Sequence, residues 1–346
     1  IMNQSPLQPT PVGAFRFNAD SAKMEYYDGN QWVNITSSSP EKNTGGCRGL
    51  INLGCSGPNN GGINTIDYIN ISSTGDAVDF GDDHVESYGS KFSTGAGSRT
   101  RAVWTGSYNP ATTSCIRYNT IQTLGNSIDF GDMSWTAAFV GGCSNETRKV
   151  IYGGDNRPSS PTAINNIDYI TIATTGNSST FGEASYASKM ARACSSPTRG
   201  VFCGGYAPNG VTTTSYITFS TTGNGSDWGD LKYATAGAQV SSNSIRGYAI
   251  GGKDGSGNRM DDVSRLTIAT LGSAVSFTEL GRNTNNGAAV ASPTRICACG
   301  GGGDPSWYTQ IDFTAIMSDG VWTDFGDLTD DNANSGGTSN GHGGLG

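Results

Sequence analysis

The chain has 346 residues, of which 51 are Gly, 35% are hydrophobic and only 14% are charged. That is too little Leu, Lys and Glu for a helical protein, whereas the abundant Thr, Ile, Val and Tyr suit strands. A net charge of −8 with no basic run argues against nucleic acid or an anionic membrane as partner. No segment approaches the roughly 18 apolar residues of a spanning helix, so no membrane insertion is expected.

The first patterned stretch, VGAFRFNADSAKMEYYDGNQWVNI at 12–35, alternates apolar and polar residues in three runs near 13–18, 22–27 and 31–35. Asn18-Ala19-Asp20 and Asp28-Gly29-Asn30 supply turns, so a small β-meander is expected. Three strands this short bury too little apolar surface by themselves. Phe15, Phe17, Met24, Tyr26 and Trp32 are therefore expected to pack on another subunit or on the rest of the chain, making residues 1–38 an N-terminal anchor for oligomerisation.

From 39 to 346 one pattern returns six times: an Ile/Tyr-rich strand, a Thr-x-Gly turn, then an aromatic residue, usually followed by Gly and an acid. It reads IDYINISSTGDAVDFGD at 66–82, IRYNTIQTLGNSIDFGD at 116–132 and IDYITIATTGNSSTFGE at 167–183, with turn glycines at Gly75, Gly125, Gly176, Gly223, Gly272 and Gly320. A second element keeps the same phase, an apolar strand opened by a basic residue and usually closed by a Gly pair, as in TRKVIYGG at 147–154 and TRGVFCGG at 198–205. Ahead of it lie small residues, as in ARACSSP at 191–197, fit for crowded strands around a narrow axis. Each period thus holds about four strands, and a period near fifty residues built from short strands means a propeller or a solenoid.

The small-residue strand occurs seven times, because SSPEKNTGGC (38–47) precedes the first copy and NANSGGTSNGHGGLG (332–346) follows the last. A seventh blade made only of residues after 331 would have too few strands to bury its faces, so six blades is the expected count and seven the alternative. Propellers hide open edges by pairing the two chain ends in one blade. Residues 332–341 are accordingly expected beside 48–54 as the innermost strand of the first blade, with 38–47 as a linker.

The order of apolar strand, Gly pair, Tyr and then Trp or Phe resembles the kelch-type repeat of β-propellers. The fold expected is therefore all-β, a kelch-like propeller preceded by a short β-meander. Gly13, Arg16, Asn18, Glu25, Tyr27, Asp28, Gly29 and Trp32 form a pattern similar to one common in virion structural proteins and tail fibres of bacteriophages, cyanophages especially. The blade consensus, Ile-Asp-Tyr-Ile with Thr-Thr-Gly-Asn and Phe-Gly-Asp, likewise resembles repeats of such proteins. The resemblance implies a non-enzymatic structural or fibre protein, assembled in the host cytoplasm and carried on the extracellular particle surface. It also implies contacts with other virion proteins and with sister subunits through the anchor, a trimer being favoured, and with a host-surface glycan or protein. A purely architectural capsid or tail decoration protein is the alternative reading, and a carboxylate-based glycan-degrading enzyme the next, because paired acids carry no sequence signature.

Candidate chemistry is sparse. His84 and His342 are the only histidines, which makes a His-based triad or a multi-histidine metal site improbable, and no cofactor is expected. The eight cysteines form no CxxC; most fall at small-residue positions of inner strands and are expected as buried free thiols. The run from Lys253 to Asp262 gathers oxygen ligands around Asp254 but lacks the spacing of a calcium loop, so an Asn/Asp/Gly turn is expected and no metal.

Two sets of residues remain. Arg48, Arg101, Arg148, Arg199, Arg246 and Arg295 recur once per period, as do Asp82, Asp132, Glu183, Asp230, Glu279 and Asp327. Such periodic charges are expected to be structural, as salt bridges or charge-assisted hydrogen bonds within or between blades. The connections after the Gly pair vary instead, and equivalent propeller loops emerge on one face. Tyr108, Arg157, Tyr206, Asp254, Trp307 and Tyr308 are the ligand-binding candidates there, offering aromatic platforms beside polar groups or else merely capping blade ends.

Overall fold

The computed structural model describes residues 10–18, 23–34, 47–57, 61–84, 91–108, 111–155, 163–207, 209–303, 306–318 and 320–346. The chain divides into two compact units, Ile1–Lys42 and Asn43–Gly346. The boundary expected at 38 and most of the linker expected at 38–47 lie outside the described residues.

In the first unit Phe15–Asn18, Lys23–Tyr27 and Trp32–Asn34 form one antiparallel sheet. The register sets Phe15 opposite Tyr26 and Phe17 opposite Met24, so strand alternation places these four on one face, where all remain exposed. The other face is polar and closed on itself. Arg16 Nε donates to Glu25 Oε2 at 2.7 Å, Asn18 donates to Glu25 Oε1 at 3.0 Å, and the guanidinium lies 4.3 Å from the Trp32 ring centroid. Trp32 thus belongs to the polar face and not to the exposed apolar one.

In the second unit the described residues make six four-stranded antiparallel sheets. From the inside outward, sheet I is Gly336–Ser339, Arg48–Asn52, Thr65–Asn70 and Val78–Asp82. Sheet II is Thr94–Gly97, Arg101–Thr105, Thr113–Thr120 and Ile128–Ala137, and sheet III is Gly141–Ser144, Arg148–Tyr152, Ile164–Thr171 and Ser179–Ser188. Sheet IV is Arg192–Ser195, Arg199–Cys203, Val211–Thr218 and Ser226–Thr235, and sheet V is Gln239–Ser242, Arg246–Lys253, Arg259–Thr267 and Val275–Phe277. Sheet VI is Ala288–Ala291, Arg295–Gly302, Trp307–Ala315 and Thr323–Asn332. Each innermost strand touches those of the sheets on either side, from sheet I round to sheet VI and back. The first and last described four-stranded-sheet strands of this unit meet in sheet I, where Gly336 pairs with Asn52 and Ser339 with Gly49.

The core lies between sheets. One cluster joins Val150, Tyr152, Ile167 and Phe181 of sheet III to Phe202 and Ile217 of sheet IV, all nearly inaccessible to water. The repeated turn and the repeated aromatic-Gly-acid strand lock onto each other across such seams, as between sheets II and III. Gly176 N–H, in the turn of sheet III, donates to the Phe130 carbonyl of sheet II at 2.7 Å, and Asp132 N–H donates to Asn177 Oδ1 at 3.0 Å. Gly131 sits at the contact with φ +144°, and a Cβ there would come 2.5 Å from the backbone of Gly176. Only Gly fits that approach, which accounts for the Phe-Gly-Asp signature.

The repeated arginines close the seam from the other side, and their partners differ from a pairing with the repeated acids. Nη1 of Arg48, Arg101, Arg148, Arg199, Arg246 and Arg295 donates to the backbone carbonyl of Ile121, Ile172, Phe219, Ile268, Ile316 and Ile71 respectively, each on the next sheet. Four of the six also lie over a tyrosine of their own sheet, such as Arg101 at 4.7 Å from Tyr118. The acids point elsewhere: Asp132, Asp230 and Asp327 accept from Ser114, Thr212 and Thr309 on the neighbouring strand of their own sheet. The physical reason is register. The arginine opens its strand at one end of the sheet, and the acid sits opposite the far end of the third strand, so the guanidinium meets exposed turn carbonyls first. Asp82 donates its N–H to Asn126, Glu183 accepts from Asn165, and Glu279 is exposed beyond the end of its strand.

Candidate binding face and central channel

The varied connections gather at one end of the ring. Tyr108, Asp155, Tyr206, Lys253 and Gly302 each bridge to the residue three places ahead of an innermost strand, namely Lys91, Ala138, Lys189, Ala236 and Asn285. Tyr206 is partly exposed and lies 5.3 Å from the Lys189 ammonium, which also pairs with Asp155 of the preceding sheet at 3.2 Å. Tyr108 is tied through backbone pairing to Lys91 and Thr112. Asp254 is spent on its own turn: Oδ1 accepts from the Ser256 and Asn258 N–H groups, and Oδ2 accepts from the Asn258 amide. These bonds hold the Asp254 carboxyl below its ordinary range. Arg157 lies outside the described residues.

Trp307 and Tyr308 are the candidates that come together. With Thr309, Gln310, Asp324 and Asp327 they line an open groove of about 420 Å³ along sheet VI. Tyr308 is backed by Arg282, whose guanidinium lies 4.9 Å from the ring centroid and is fixed by Asp312 at 2.8 Å and by the Gly300 and Gln310 carbonyls. The ring is therefore a rigid platform, beside two exposed carboxylates that bond hydroxyl or amide groups readily.

The ring axis is a second feature. Gly95, Gly142, Ala193, Val240 and Gly337 leave a narrow channel. At the end where the inner strands finish, the chain terminus enters it: His342 caps a 3-10 turn at Gly343–Leu345, its Nδ1 accepting from Gly344 N–H and its Nε2 donating to the Gly97 carbonyl at 2.9 Å. Burial pushes the His342 pKa down to about 4, so the ring is neutral in the fold. At the other end the residues leading into the strands take left-handed conformations, including Phe92 at φ +63°, Phe139 at +60° and Met190 at +60°. Such values are strained for bulky side chains, and backbone bonds from sheet to sheet hold them, as Met190 N–H donates to the Phe139 carbonyl at 3.0 Å. Arg192 stands at this end.

None of these channel residues was among the sequence candidates. Arg192 carried a signal nonetheless, since it is a charge in a set of inner strands otherwise made of small or neutral residues. Arg282, which pairs with Asp312, and Arg117, which forms a fully buried pair with Asp83 at 2.8 Å, have no basic counterpart in the other periods and left no pattern to find. The cysteines are free; all but Cys115 are buried, and burial pushes the Cys297 thiol up to about 12. Among the described residues no group of three or more His, Cys, Asp or Glu side chains could hold a metal ion.

The sheets, their ring order and the repeated locks define a β-propeller of kelch-like repeats. No family model and no curated protein matches the chain. Among solved structures 398 chains match, so the architecture is widely shared and does not by itself point to an activity. One of them, described as the structure of YjhT, aligns with a TM-score of 0.59 at 14% identity, over 70% of this chain and 86% of that chain. At that identity the likeness is one of fold.

Proposed function

We propose that this chain is a non-enzymatic structural or fibre protein of a bacteriophage particle, its propeller displayed for recognition of a host-surface glycan or protein. The observation that carries the recognition is the Trp307–Tyr308 groove, where an aromatic platform stiffened by Arg282 stands beside Asp324, Asp327 and Gln310. Sugars are bound by stacking their apolar face on such rings while their hydroxyls bond carboxylate and amide groups. The meander supports attachment to sister subunits or other virion proteins, since its apolar face is exposed while its polar face is self-satisfied.

Antibodies raised against residues 43–346 test this reading on intact particles. Labelling of the particle surface together with blocked adsorption is expected. Labelling without any effect on adsorption would leave an architectural role, and absence of the chain from purified particles would overturn the proposal.

A further inference from the structure

Arg192 is the only charged residue in the six innermost strands, and it points into the channel with its hydrogen bonding incomplete. Nη1 donates to the Ser93 carbonyl of sheet II at 3.2 Å and Nη2 to the Ser335 carbonyl at 3.1 Å, ahead of the sheet I strand on the opposite side of the axis. Nε is enclosed and meets no acceptor. The cavity beside it is about 30 Å³, lined by Thr94, Gly95, Gly142, Ala193, Ser335 and other small or uncharged residues, with no carboxylate.

Arg192 is partly open to water, but its Nε is enclosed, and an enclosed guanidinium N–H without an acceptor or counter-charge is costly. Here the burial draws the Arg192 pKa down to about 10 with no acid to offset it. The backbone adds donors at the same place. Gly97 and Ser195 turn their N–H groups away from their own sheets, toward Ser144 and Ser242 hydroxyls, so strand alternation aims those of Gly95 and Ala193, two residues earlier, at the axis as well. Glycines at 95, 142 and 337 leave the space open beside them.

We propose that the channel binds one compact monovalent anion, of halide to formate size, between Arg192 Nε and the axis-facing amides of the inner strands. A void of about 30 Å³ admits a small ion or a water and is far too small for a sugar, so this site is separate from the groove on sheet VI. Its role is to complete the charge balance of the axis, and it makes the ring's stability depend on anion identity.

The test uses the full chain. At fixed ionic strength, replacing gluconate with chloride or with formate is expected to raise the melting midpoint saturably, because an ion bound only by the folded state stabilises it. Whichever of the two acts at lower concentration distinguishes halide from carboxylate. Arg192→Gln is expected to abolish that dependence, and crystals grown in bromide are expected to show an anomalous peak within hydrogen-bond distance of Nε. Identical midpoints in all three salts, or bromide-grown crystals with no peak at Arg192, would overturn the proposal and leave the void to water. If Arg192→Gln fails to fold, the bromide crystal of the unaltered chain decides.

Discussion

Arg199 donates from Nη1 to the carbonyl oxygen of Ile268, 2.9 Å away on the next sheet, while its guanidinium lies 4.6 Å from the Tyr216 ring centroid of its own sheet. One side chain thus ties the edge of one blade to the turn of the next. Arg199→Ala is expected to cost about 1–2 kcal/mol, less than a fully buried charged hydrogen bond because the group is partly open to water. Arg199→Lys recovers only part of it, since an ammonium lacks the planar fork that bonds and stacks together. Urea unfolding measures both, and a loss below about half a kcal/mol for the alanine variant would contradict the tie.

Removing residues 332–346 deletes the innermost strand of sheet I and exposes the edge of Arg48–Asn52. The whole ring is expected to lose stability, because each sheet buries its faces only against its two neighbours. Calorimetry is expected to show a large drop in the melting midpoint of the propeller as a unit. An unchanged midpoint would mean that this strand does not close the ring.

His342 imposes a pH dependence with a definite sign. Its folded pKa is near 4 against the ordinary 6.5, so between those values the unfolded chain binds the proton and the folded one does not. Its contribution is full above about pH 6.5 and is lost as pH falls toward 4, at a slope of at most about 1.4 kcal/mol per pH unit. His342→Gln is expected to flatten that slope, and the difference between the two stability curves isolates this residue from the acids that titrate in the same range. Parallel curves would place the imidazole in water.

The meander presents Phe15, Phe17, Met24 and Tyr26 at 68%, 62%, 45% and 37% exposure on one face. Phe15→Glu combined with Phe17→Glu is expected to abolish self-association, with a trimer expected for the unaltered chain. The Arg16–Glu25 pair on the other face is left intact by these changes. Sedimentation velocity reads the outcome, and equal oligomeric states for the two proteins would remove the anchor role.

The strands were legible because a repeat of about fifty residues shows each element six times over, and small residues, the Gly pair and the aromatic-Gly-acid run mark inner, second and outer strands in turn. Alternation likewise marked the three strands of the meander and grouped Trp32 with Phe15, Phe17, Met24 and Tyr26, whereas its register with Tyr27 puts it among the polar residues. What pairs across a seam was not legible. Period alone says that Arg199 and Glu183 both recur; it does not say at which end of the sheet each emerges, and that decides for the Ile268 carbonyl over the acid. The left-handed turns at Phe92, Phe139 and Met190 were hidden for a related reason, since bulky residues give no signal for a positive φ that neighbouring sheets impose. Trp307 and Tyr308 could be read as rim residues, but the groove beside Asp324 and Asp327 depends on the register of the next strand, which sets Gln310 opposite Asp327.

Glycan-array binding of the purified chain, run beside a variant carrying Trp307→Ala and Tyr308→Ala, tests the recognition role most directly. The account predicts saturable binding to a defined set of surface glycans, lost in the variant while its melting midpoint stays close to the original, because the two rings line an open groove rather than the core between sheets. Binding retained in full by the variant, or no binding by either protein to glycans or to host cells, would contradict it.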